Sequence, residues 1–581
     1  MSFTSTPRGG GINLHLGLTF RYPRHGSNFS ELSLTVNSMR ARLWIAGLAS
    51  LILARMLFST FPQAQTALPH GQIFVQASNP RTSVTRIDRP VAISPQDSDR
   101  GAARRDQDVA IRVDASLTYQ TLDGFGASHI ALAQGPKKDY LSKKLRTKAI
   151  DAVYAQVHLT TGNVDSGPFE TPANATDLFR QQANDDDDPF HFNWQGFNFS
   201  GLDITKEKLI DLARPKGFVN FYPGFNVSVR WGNTWMKAIR AKDYNRYLDE
   251  AAEQVAAGMI HWRDSYGSVQ KYLKIFNEPT SGNQELDPGS LQEVIDVTKR
   301  VGERLRKEGF SGVKFVVPGE ETEEKSFRVA AAILADPEAG QYVGVIAYHT
   351  YPYGSAYCDI SRILNTSGRG SPDPERVAVR RQLRDLAAKY GLPLWMTEVS
   401  HGAVSPLSFD DLLGRAIHIH DELVYADAAA YFGMLNLVDA HTTRGHDPFT
   451  QEEGSIAIVD ETWDKVYITG IGFAIGHYAR WIPPGYLRVD ATSGDPLLLV
   501  TAFRDEARKR LVLVLINNEA QPTTVSVQLK GFAQELPLKF TGEQSSAQGA
   551  WAPVVPIGFA NSSQIRFSIS PRSVTTVATA N

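Results

Sequence analysis

Cysteine is almost absent from this sequence, with one in 581 residues. The lone Cys358 excludes an intramolecular disulfide and any metal site built from several cysteines. It lies after a predicted strand, no histidine can be paired with it from the sequence, and we do not expect it to be catalytic. Stability must therefore come from a hydrophobic core, for which a hydrophobic fraction of 42% is sufficient.

An excess of charge of one sign is also lacking. Lys and Arg number 60 against 62 Asp and Glu, and the formal net charge is -2. This balance provides no field to attract nucleic acid or an anionic membrane, so we expect no nucleic-acid partner. A neutral or weakly charged substrate fits better. No Gly-rich phosphate-binding loop follows any predicted strand, which argues against a nucleotide-binding fold.

The most apolar stretch near the N-terminus is short. Met39 begins a basic stretch that leads into the apolar residues 43–54, a pattern typical of a signal peptide. A comfortable membrane span needs about 20 residues. We therefore expect a secreted, periplasmic or extracellular protein without a stable membrane partner, and an N-terminal membrane anchor is the alternative. Residues 1–67 are interpreted as an N-terminal extension and signal peptide, and the polar residues 68–106 as a linker.

Short apolar runs alternate with helical patterns through the middle of the chain. This order predicts a parallel sheet with right-handed crossovers. Together with a segment at Phe125, the runs give about eight repeats, which favours an α/β fold of the (β/α)8 TIM barrel type over residues 121–482. The predicted strands are 155–159, 219–229, 272–276, 313–317, 343–348, 392–396 and 431–437, and the clearest helices are 244–262, 291–307, 375–390 and 410–425.

The pattern changes to strands alone after residue 483. Short strands separated by Asn, Gly and Pro predict a β-sandwich over residues 483–581, with strands at 497–503, 511–516, 523–529, 536–541 and 563–569. Residues 109–114 alternate between apolar and polar side chains, and they precede the barrel without a role in it. We therefore assign residues 107–120 to a strand that joins the sandwich.

Two glutamates stand where a barrel presents its catalytic groups, directly after strands. Glu278 follows the predicted fourth strand in the sequence Asn277-Glu278-Pro279, and Glu398 follows the seventh. Strands four and seven face each other across the barrel mouth. A glycosidase that retains configuration needs such a pair, with one carboxyl group to protonate the leaving oxygen and another about 5 to 5.5 Å away to attack the anomeric carbon. We predict Glu278 as the acid/base and Glu398 as the nucleophile.

These motifs resemble those of the retaining barrel glycosidases of clan A, which carry the acid/base after strand four and the nucleophile after strand seven. Three further segments are similar to glycoside hydrolase family 30. They are residues 120–128 (QTLDGFGAS), which resemble its first strand, residues 230–237 (RWGNTWMK), which resemble its third strand, and residues 471–488 (IGFAIGHYARWIPPGYLR), which resemble its last helix and the linker to its side domain. The likeness covers residues 107–581. The second-strand segment lacks an expected arginine, which indicates a divergent member.

Other residues are assigned to substrate binding. Asn277, beside the acid/base, is expected to bond the sugar 2-hydroxyl group, a contact that strengthens in the transition state. The pair His349 and Tyr351 after strand six is expected either to orient the nucleophile or touch the sugar, or to pack as an aromatic pair. Trp231 and Trp235 are expected to stack on sugar rings or to pack in the core. Asp165 is a weaker candidate, as are Asp123 and His401.

The sequence leaves other interpretations open. The expected substrate is a β-linked glycoside, and no metal or other cofactor is expected. Another clan A activity, such as a xylosidase or an arabinofuranosidase, and a non-catalytic carbohydrate-binding protein are the alternatives. The acidic run 185–188 is interpreted as a solvated loop, because it lacks the spacing of an EF-hand calcium loop. Oligomeric state, the sugar, and endo or exo action are not determined by the sequence.

Overall fold

The structure is a computed structural model, and it describes part of the chain. The described residues are 74–75, 84–85, 108–131, 142–166, 185–216 except 187, 221–230, 234–282, 285–351, 359–399, 404–436, 455–460, 464–507, 509–531, 539–561 and 564–579. The predicted signal peptide, Trp231, Cys358 and His401 lie outside them. Within these ranges, every helix is too short or too polar to cross a membrane.

The strands in chain order are β1 (Phe74–Val75), β2 (Val84–Thr85), β3 (Val109–Thr121), β4 (Gly124–Ala131), β5 (Thr161–Ser166), β6 (Phe221–Phe225), β7 (Tyr272–Lys274), β8 (Lys314–Glu320), β9 (Val343–His349), β10 (Leu394–Glu398), β11 (Ala430–Asn436), β12 (Ala457–Asp460), β13 (Lys465–Ile468), β14 (Leu487–Ser493), β15 (Leu498–Asp505), β16 (Arg510–Asn517), β17 (Thr523–Lys530), β18 (Lys539–Ser546), β19 (Gly549–Asn561), β20 (Gln564–Ile569) and β21 (Ser573–Thr579).

The α-helices are α1 (Lys143–Ile150), α2 (Ser200–Thr205), α3 (Asp211–Ala213), α4 (Thr234–Lys242), α5 (Tyr244–Tyr266), α6 (Leu291–Lys307), α7 (Glu323–Ala335), α8 (Pro337–Gly340), α9 (Ile360–Asn365), α10 (Pro374–Tyr390), α11 (Phe409–Tyr425) and α12 (Gly470–Ala479). Short π-helical or 3-10 segments stand at Asp151–Gln156, Lys206–Ile210, Arg214–Lys216 and Ser367–Arg369.

Strands β4 to β11 form a closed barrel of eight parallel strands, in which β11 pairs with β4. The predicted TIM-barrel fold is confirmed. The barrel interior is filled by a cluster that includes Tyr222, Val345, Trp395 and Phe432. A larger cluster packs the surrounding helices against the outside of the strands. All eight carboxyl ends therefore meet at one mouth of the barrel.

The strand predicted at residues 155–159 is wrong. The chain is π-helical over Asp151–Gln156, turns at His158 with a φ of 63°, and enters the second barrel strand, β5, only at Thr161. Val153 and Val157 are fully buried on this helical segment. A short buried apolar run has the same composition in a helix as in a strand, so its hydrophobicity could not separate the two.

Local sequence explains where the longer helices begin and end. The Asp243 carboxylate accepts from the backbone N–H of Arg246 and caps the start of α5, which ends at Gly267 with a φ of 70°. The Ser290 hydroxyl likewise caps α6 through the backbone N–H of Glu293. Such caps satisfy N–H groups that the first turn of a helix leaves without partners. The helices predicted at 291–307, 375–390 and 410–425 are present as α6, α10 and α11.

The side domain is a mostly antiparallel sheet of nine strands that closes on itself, in the order β14-β15-β16-β21-β18-β19-β20-β17-β3. The two sheets expected of a sandwich are thus joined at their edges into one closed sheet. Strand β3, from before the barrel, pairs antiparallel with β14 and parallel with β17. Its Ile111 and Val113 are buried in the side-domain core with Leu513 and Phe540. A separate four-stranded sheet has the order β12-β13-β1-β2.

Candidate active site

Glu278 and Glu398 lie at the same mouth of the barrel. Glu278 follows β7, the fourth barrel strand, and Glu398 is the last residue of β10, the seventh. Both side chains are buried, with exposed fractions of 5% and 6% for the two residues. One carboxylate oxygen of Glu278 lies within 4.8 Å of one of Glu398. The two carboxyl groups thus lie close to each other at the barrel mouth.

His349 stands between the two carboxylates. It is the last residue of β9, and its side chain is almost completely buried. Its Nδ1 lies 3.0 Å from Glu278 Oε1, and its Nε2 lies 3.8 Å from Glu398 Oε2. The Tyr351 hydroxyl donates a hydrogen bond of 2.8 Å to Glu398 Oε1. Each glutamate is therefore held by a different neighbour from the same strand end.

These three side chains also have the spacing of a metal site. One oxygen from each glutamate and one ring nitrogen of His349 all lie within 4.8 Å of one another. A two-carboxylate mechanism accounts for the same side chains without an ion. The expectation that the reaction uses no metal stays a prediction.

The backbone at Glu278 adopts an unusual conformation, with a φ of 47°. Residues other than glycine rarely enter this left-handed region, because the side chain meets the backbone. The N–H of Glu278 donates 2.8 Å to the carbonyl of Gly319, which has a φ of 64°. A Cβ atom on Gly319 would lie 3.3 Å from His349 Nε2. Glycine at 319 thus serves both the positive φ and the close approach of the histidine.

Glu320, which sequence reasoning missed, holds the chain that follows Glu278. It ends β8, is fully buried, and accepts hydrogen bonds from the backbone N–H of Thr280 at 2.8 Å and the hydroxyl of Ser281 at 3.3 Å. Burial raises the pKa of Glu320, the Thr280 bonds oppose this, and the charge of Glu278 adds to the rise. The signal was available, because Glu320 is also a carboxylate at the end of a barrel strand.

Asn277 is fixed by a lysine within the barrel. The buried Lys274 Nζ donates 2.9 Å to Asn277 Oδ1. Because Lys274 occupies the amide oxygen of Asn277, the NH2 group is the part of this side chain that can donate to another group. Sequence reasoning selected Asn277 but did not find Lys274, whose inward direction depends on the register of β7.

The remaining candidates are less closely tied to this mouth. Asp165 lies in the second half of β5, near its carboxyl end. Trp235 is in α4 and packs, half-buried, against the core around the barrel. Asp123 precedes β4, at the amino ends of the strands, where its carboxylate accepts 2.7 Å from the indole N–H of Trp395. Asp123 is therefore at the opposite end of the barrel from the two glutamates. Trp231 and His401 lie outside the described residues.

The sequence and the fold both resemble known proteins. The chain is 23% identical over 321 residues to the glucuronoxylanase XynC of Bacillus subtilis, a match that covers 55% of this chain and 63% of that protein. The fold is similar to that of the glycoside hydrolase family 30 subfamily 8 xylanase Xyn30A from Clostridium acetobutylicum, with a TM-score of 0.56, 19% identity, and coverage of 81% of this chain and 100% of the other. It is also similar to the catalytic domain of the family 30 xylanase C from Talaromyces cellulolyticus, with a TM-score of 0.56, 18% identity, and coverage of 81% of this chain and 100% of the other.

These proteins are glycoside hydrolases, and the solved structures share the barrel and its side domain. No family model matches the chain. The chain spans about 63% of the length of the curated relative. At identities below one in five, the structural likeness shows the fold, and the chemistry must be argued from the residues at the barrel mouth.

Proposed function

Because the chain is a divergent relative of the glycoside hydrolases of family 30, we propose that it hydrolyses β-linked glycosides in a polysaccharide, oligosaccharide or glycoconjugate, with retention of configuration. The observation that carries this proposal is the approach of Glu278 and Glu398 to within 4.8 Å, oxygen to oxygen, at one barrel mouth. Retaining enzymes hold their carboxyl groups about 5 to 5.5 Å apart, whereas inverting enzymes leave about 6.5 to 9.5 Å for a water molecule.

Glu398 is the nucleophile in this proposal. Its carboxylate attacks the anomeric carbon while Glu278 gives its proton to the departing oxygen, so the C–O bond to the leaving group breaks as the glycosyl–enzyme bond forms. In the second step Glu278 accepts a proton from water. The resulting hydroxide attacks the same carbon and releases Glu398. Two inversions restore the original configuration.

The neighbours of the two glutamates support this division of roles. The Tyr351 hydroxyl donates to Glu398, and a hydrogen bond of this kind stabilises the ionised form and fixes one of its oxygens. His349 contacts Glu278 at 3.0 Å. Asn277 is held by Lys274, and in this proposal its amide bonds the sugar 2-hydroxyl group.

Xylan is the first polymer to test, because the relatives are named as xylanases. The second-strand segment lacks an arginine that the family likeness predicts, so the substrate panel extends beyond xylan. Product analysis on xylan, β-glucans and a panel of aryl glycosides identifies the sugar, and the same assay separates endo from exo action.

Azide rescue of two alanine variants tests the mechanism. Glu398→Ala is expected to abolish turnover, and added azide is expected to restore it with a product of inverted configuration. Glu278→Ala lacks the acid, but dinitrophenolate is a good leaving group, so the first step on a dinitrophenyl glycoside proceeds without protonation. The glycosyl–enzyme then accumulates, and azide gives a product of retained configuration.

Glu308→Ala, at the end of α6 and away from the mouth, is the matched control and is expected to keep native activity. Wild-type rates in both active-site variants on a substrate that the native protein cleaves would rule out the proposal. Azide products of opposite stereochemistry would show that the two roles are exchanged.

A further inference from the structure

A second group of carboxylates lies outside the barrel mouth. Glu250 and Glu253 are on α5, in the helical layer around the barrel, and Asp185 comes from the segment that precedes α2. One oxygen from each of the three lies within 4.8 Å of the other two. Residues three apart on a helix share one face, so both glutamates point toward Asp185. Neither the proposed reaction nor its positioning residues use this cluster.

Glu253 has no partner of its own among the described residues. The residue is fully buried, and neither carboxylate oxygen makes a hydrogen bond there. Asp185 Oδ1 is likewise buried without a hydrogen bond. A buried carboxylate without a partner costs several kcal/mol in its ionised form. Asp185 Oδ2 accepts from the backbone N–H of Asn193 at 3.0 Å, but three carboxylates with three buried oxygens that make no hydrogen bond within the described ranges require positive charge or a bound proton.

One nearby arginine pairs with a carboxylate of the cluster, and another is committed to groups outside it. Arg246 Nε contacts Glu250 Oε1 at 3.1 Å. Arg304 donates to Glu308 at 2.7 Å and to the carbonyl of Pro189 at 2.6 Å. Burial, together with the charges of Asp185 and Glu250, raises the pKa of Glu253 to about 9, and the charge of Arg304 opposes this rise. Among the described residues, Arg246 thus compensates one of the three carboxylates and Arg304 bonds elsewhere, which leaves the cluster short of positive charge.

We propose that Asp185, Glu250 and Glu253 bind a divalent cation, and that calcium is the ion that this site takes. All the donors are carboxylate oxygens, which suit hard cations. Magnesium keeps several of its water molecules and is seldom bound by protein ligands alone, whereas calcium accepts six to eight oxygens in flexible geometry. Because Glu250 and Glu253 are both fully buried, the site has little room for a hydration shell.

The cation would join the segment between β5 and β6 to the helical layer. This segment already packs on the same helices, since the Phe199 ring stacks on His261 of α5 at 4.1 Å and Arg304 of α6 lies 4.6 Å from the Phe192 ring. A Cβ atom on Gly196 would come within 2.4 Å of Asp185 Cβ, so a glycine is needed where the segment closes over Asp185. Asp185 is far in sequence from Glu250 and Glu253, which explains why an EF-hand pattern is not required.

Calcium binding to the full chain tests the proposal. The protein is stripped with a chelator, dialysed, and titrated with CaCl2 or MgCl2 in a calorimeter. We expect one calcium ion per chain, weaker binding of magnesium, and a rise of several degrees in the unfolding temperature with calcium, because a ligand that binds only the folded state stabilises it. The absence of calcium uptake by the stripped chain would overturn the proposal.

Two variants localise the ion. Glu253→Gln and Asp185→Asn keep the size of the side chain, and each is expected to lose at least tenfold in calcium affinity and the calcium-dependent rise in unfolding temperature. Asp188→Asn, an exposed acid of the same segment, is the matched control and is expected to bind as the native chain does. Asp185 is only partly buried, so its variant remains informative if Glu253→Gln does not fold.

The group of Glu278, His349 and Glu398 at the barrel mouth also has the spacing of a metal site, so it requires a separate control. Glu398→Ala is expected to bind calcium normally. Loss of binding in Glu398→Ala with retention in Glu253→Gln and Asp185→Asn would place the ion at the barrel mouth and refute the proposal. A Glu253→Gln variant that is more stable than the native chain both with and without calcium would show that a proton, not a cation, holds the carboxylates together.

Discussion

His349 and Tyr351 give the two glutamates different surroundings, although both project from one strand end. Tyr351 donates a hydrogen bond to Glu398, and His349 lies 3.0 Å from Glu278 but 3.8 Å from Glu398. The order of strands was sufficient to select both glutamates from the sequence. The sequence could not show which neighbour serves which glutamate, because that depends on side-chain directions at the end of β9.

Removal of the Tyr351 hydroxyl tests this residue-scale arrangement. Tyr351→Phe deletes the donor to Glu398 and keeps the ring. A hydrogen bond to a charged group contributes about 1.5 to 3 kcal/mol, so we expect kcat to fall about 10- to 100-fold. Steady-state kinetics on an aryl glycoside measure the loss. Tyr390→Phe, at the exposed end of α10, is the control and is expected to keep native kcat. Equal rates for the native chain and Tyr351→Phe would remove Tyr351 from the proposed mechanism.

At the scale of elements, long periodic helices were predicted well and several strands were not. Strand β21 was missed because its threonines and valines are buried at every position, which removes the alternation that marks a half-buried strand. Strand β19 contains Pro553 and Pro556, which read as breakers in a sequence pattern. Alternation did predict a strand at 109–114, and the structure has β3 there.

A pair of substitutions in β3 tests its contribution to the side domain. Ile111 is fully buried in the side-domain core, whereas Leu117 on the same strand is 52% exposed. Ile111→Ala is expected to cost about 2 to 5 kcal/mol of unfolding free energy, as core truncations do. Leu117→Ala is expected to stay within about 0.5 kcal/mol. Urea unfolding measures both. Equal losses for the two variants would mean that β3 does not pack as described.

At the scale of the whole molecule, barrel and side domain meet through a buried histidine. His477, on α12, lies 3.1 Å from Thr576 Oγ1 through Nδ1 and 2.7 Å from Ser545 Oγ through Nε2. The Thr576 hydroxyl donates to the His477 carbonyl, so Nδ1 carries the proton toward Thr576. Burial, together with the charge of Arg480, lowers the pKa of His477 to about 3. The imidazole is therefore neutral where the two parts join.

This neutral histidine makes the fold sensitive to acid. Its pKa is about 6.5 in the unfolded chain and about 3 in the folded one, so only the unfolded chain gains the proton as the pH falls between these values. His477→Gln is expected to be less stable than the native chain at pH 7, by about 1 to 3 kcal/mol for the lost hydrogen bonds. It is also expected to lose less stability between pH 7 and pH 4.5.

Thermal unfolding at the two pH values gives the comparison. His420, whose pKa burial also lowers to about 3, remains in the variant and leaves it some sensitivity to acid. A drop in unfolding temperature that is equal in both proteins would contradict the role of His477. The sequence drew attention to residues 471–488 through family likeness, but nothing in it showed that His477 is buried between two domains.

The left-handed backbone at Glu278 affects the stability of variants in which this residue is replaced. Glycine adopts a φ of 47° freely, whereas a left-handed alanine carries a penalty of about 1 to 2 kcal/mol. Glu278→Gly is thus expected to melt above Glu278→Ala, while Glu398→Gly, in a strand, is expected to melt below Glu398→Ala. Differential scanning calorimetry of the four variants would reveal this reversal. Glu278→Gly would then be the more stable of the two variants that lack the proposed acid, and the better one for trapping a bound sugar chain.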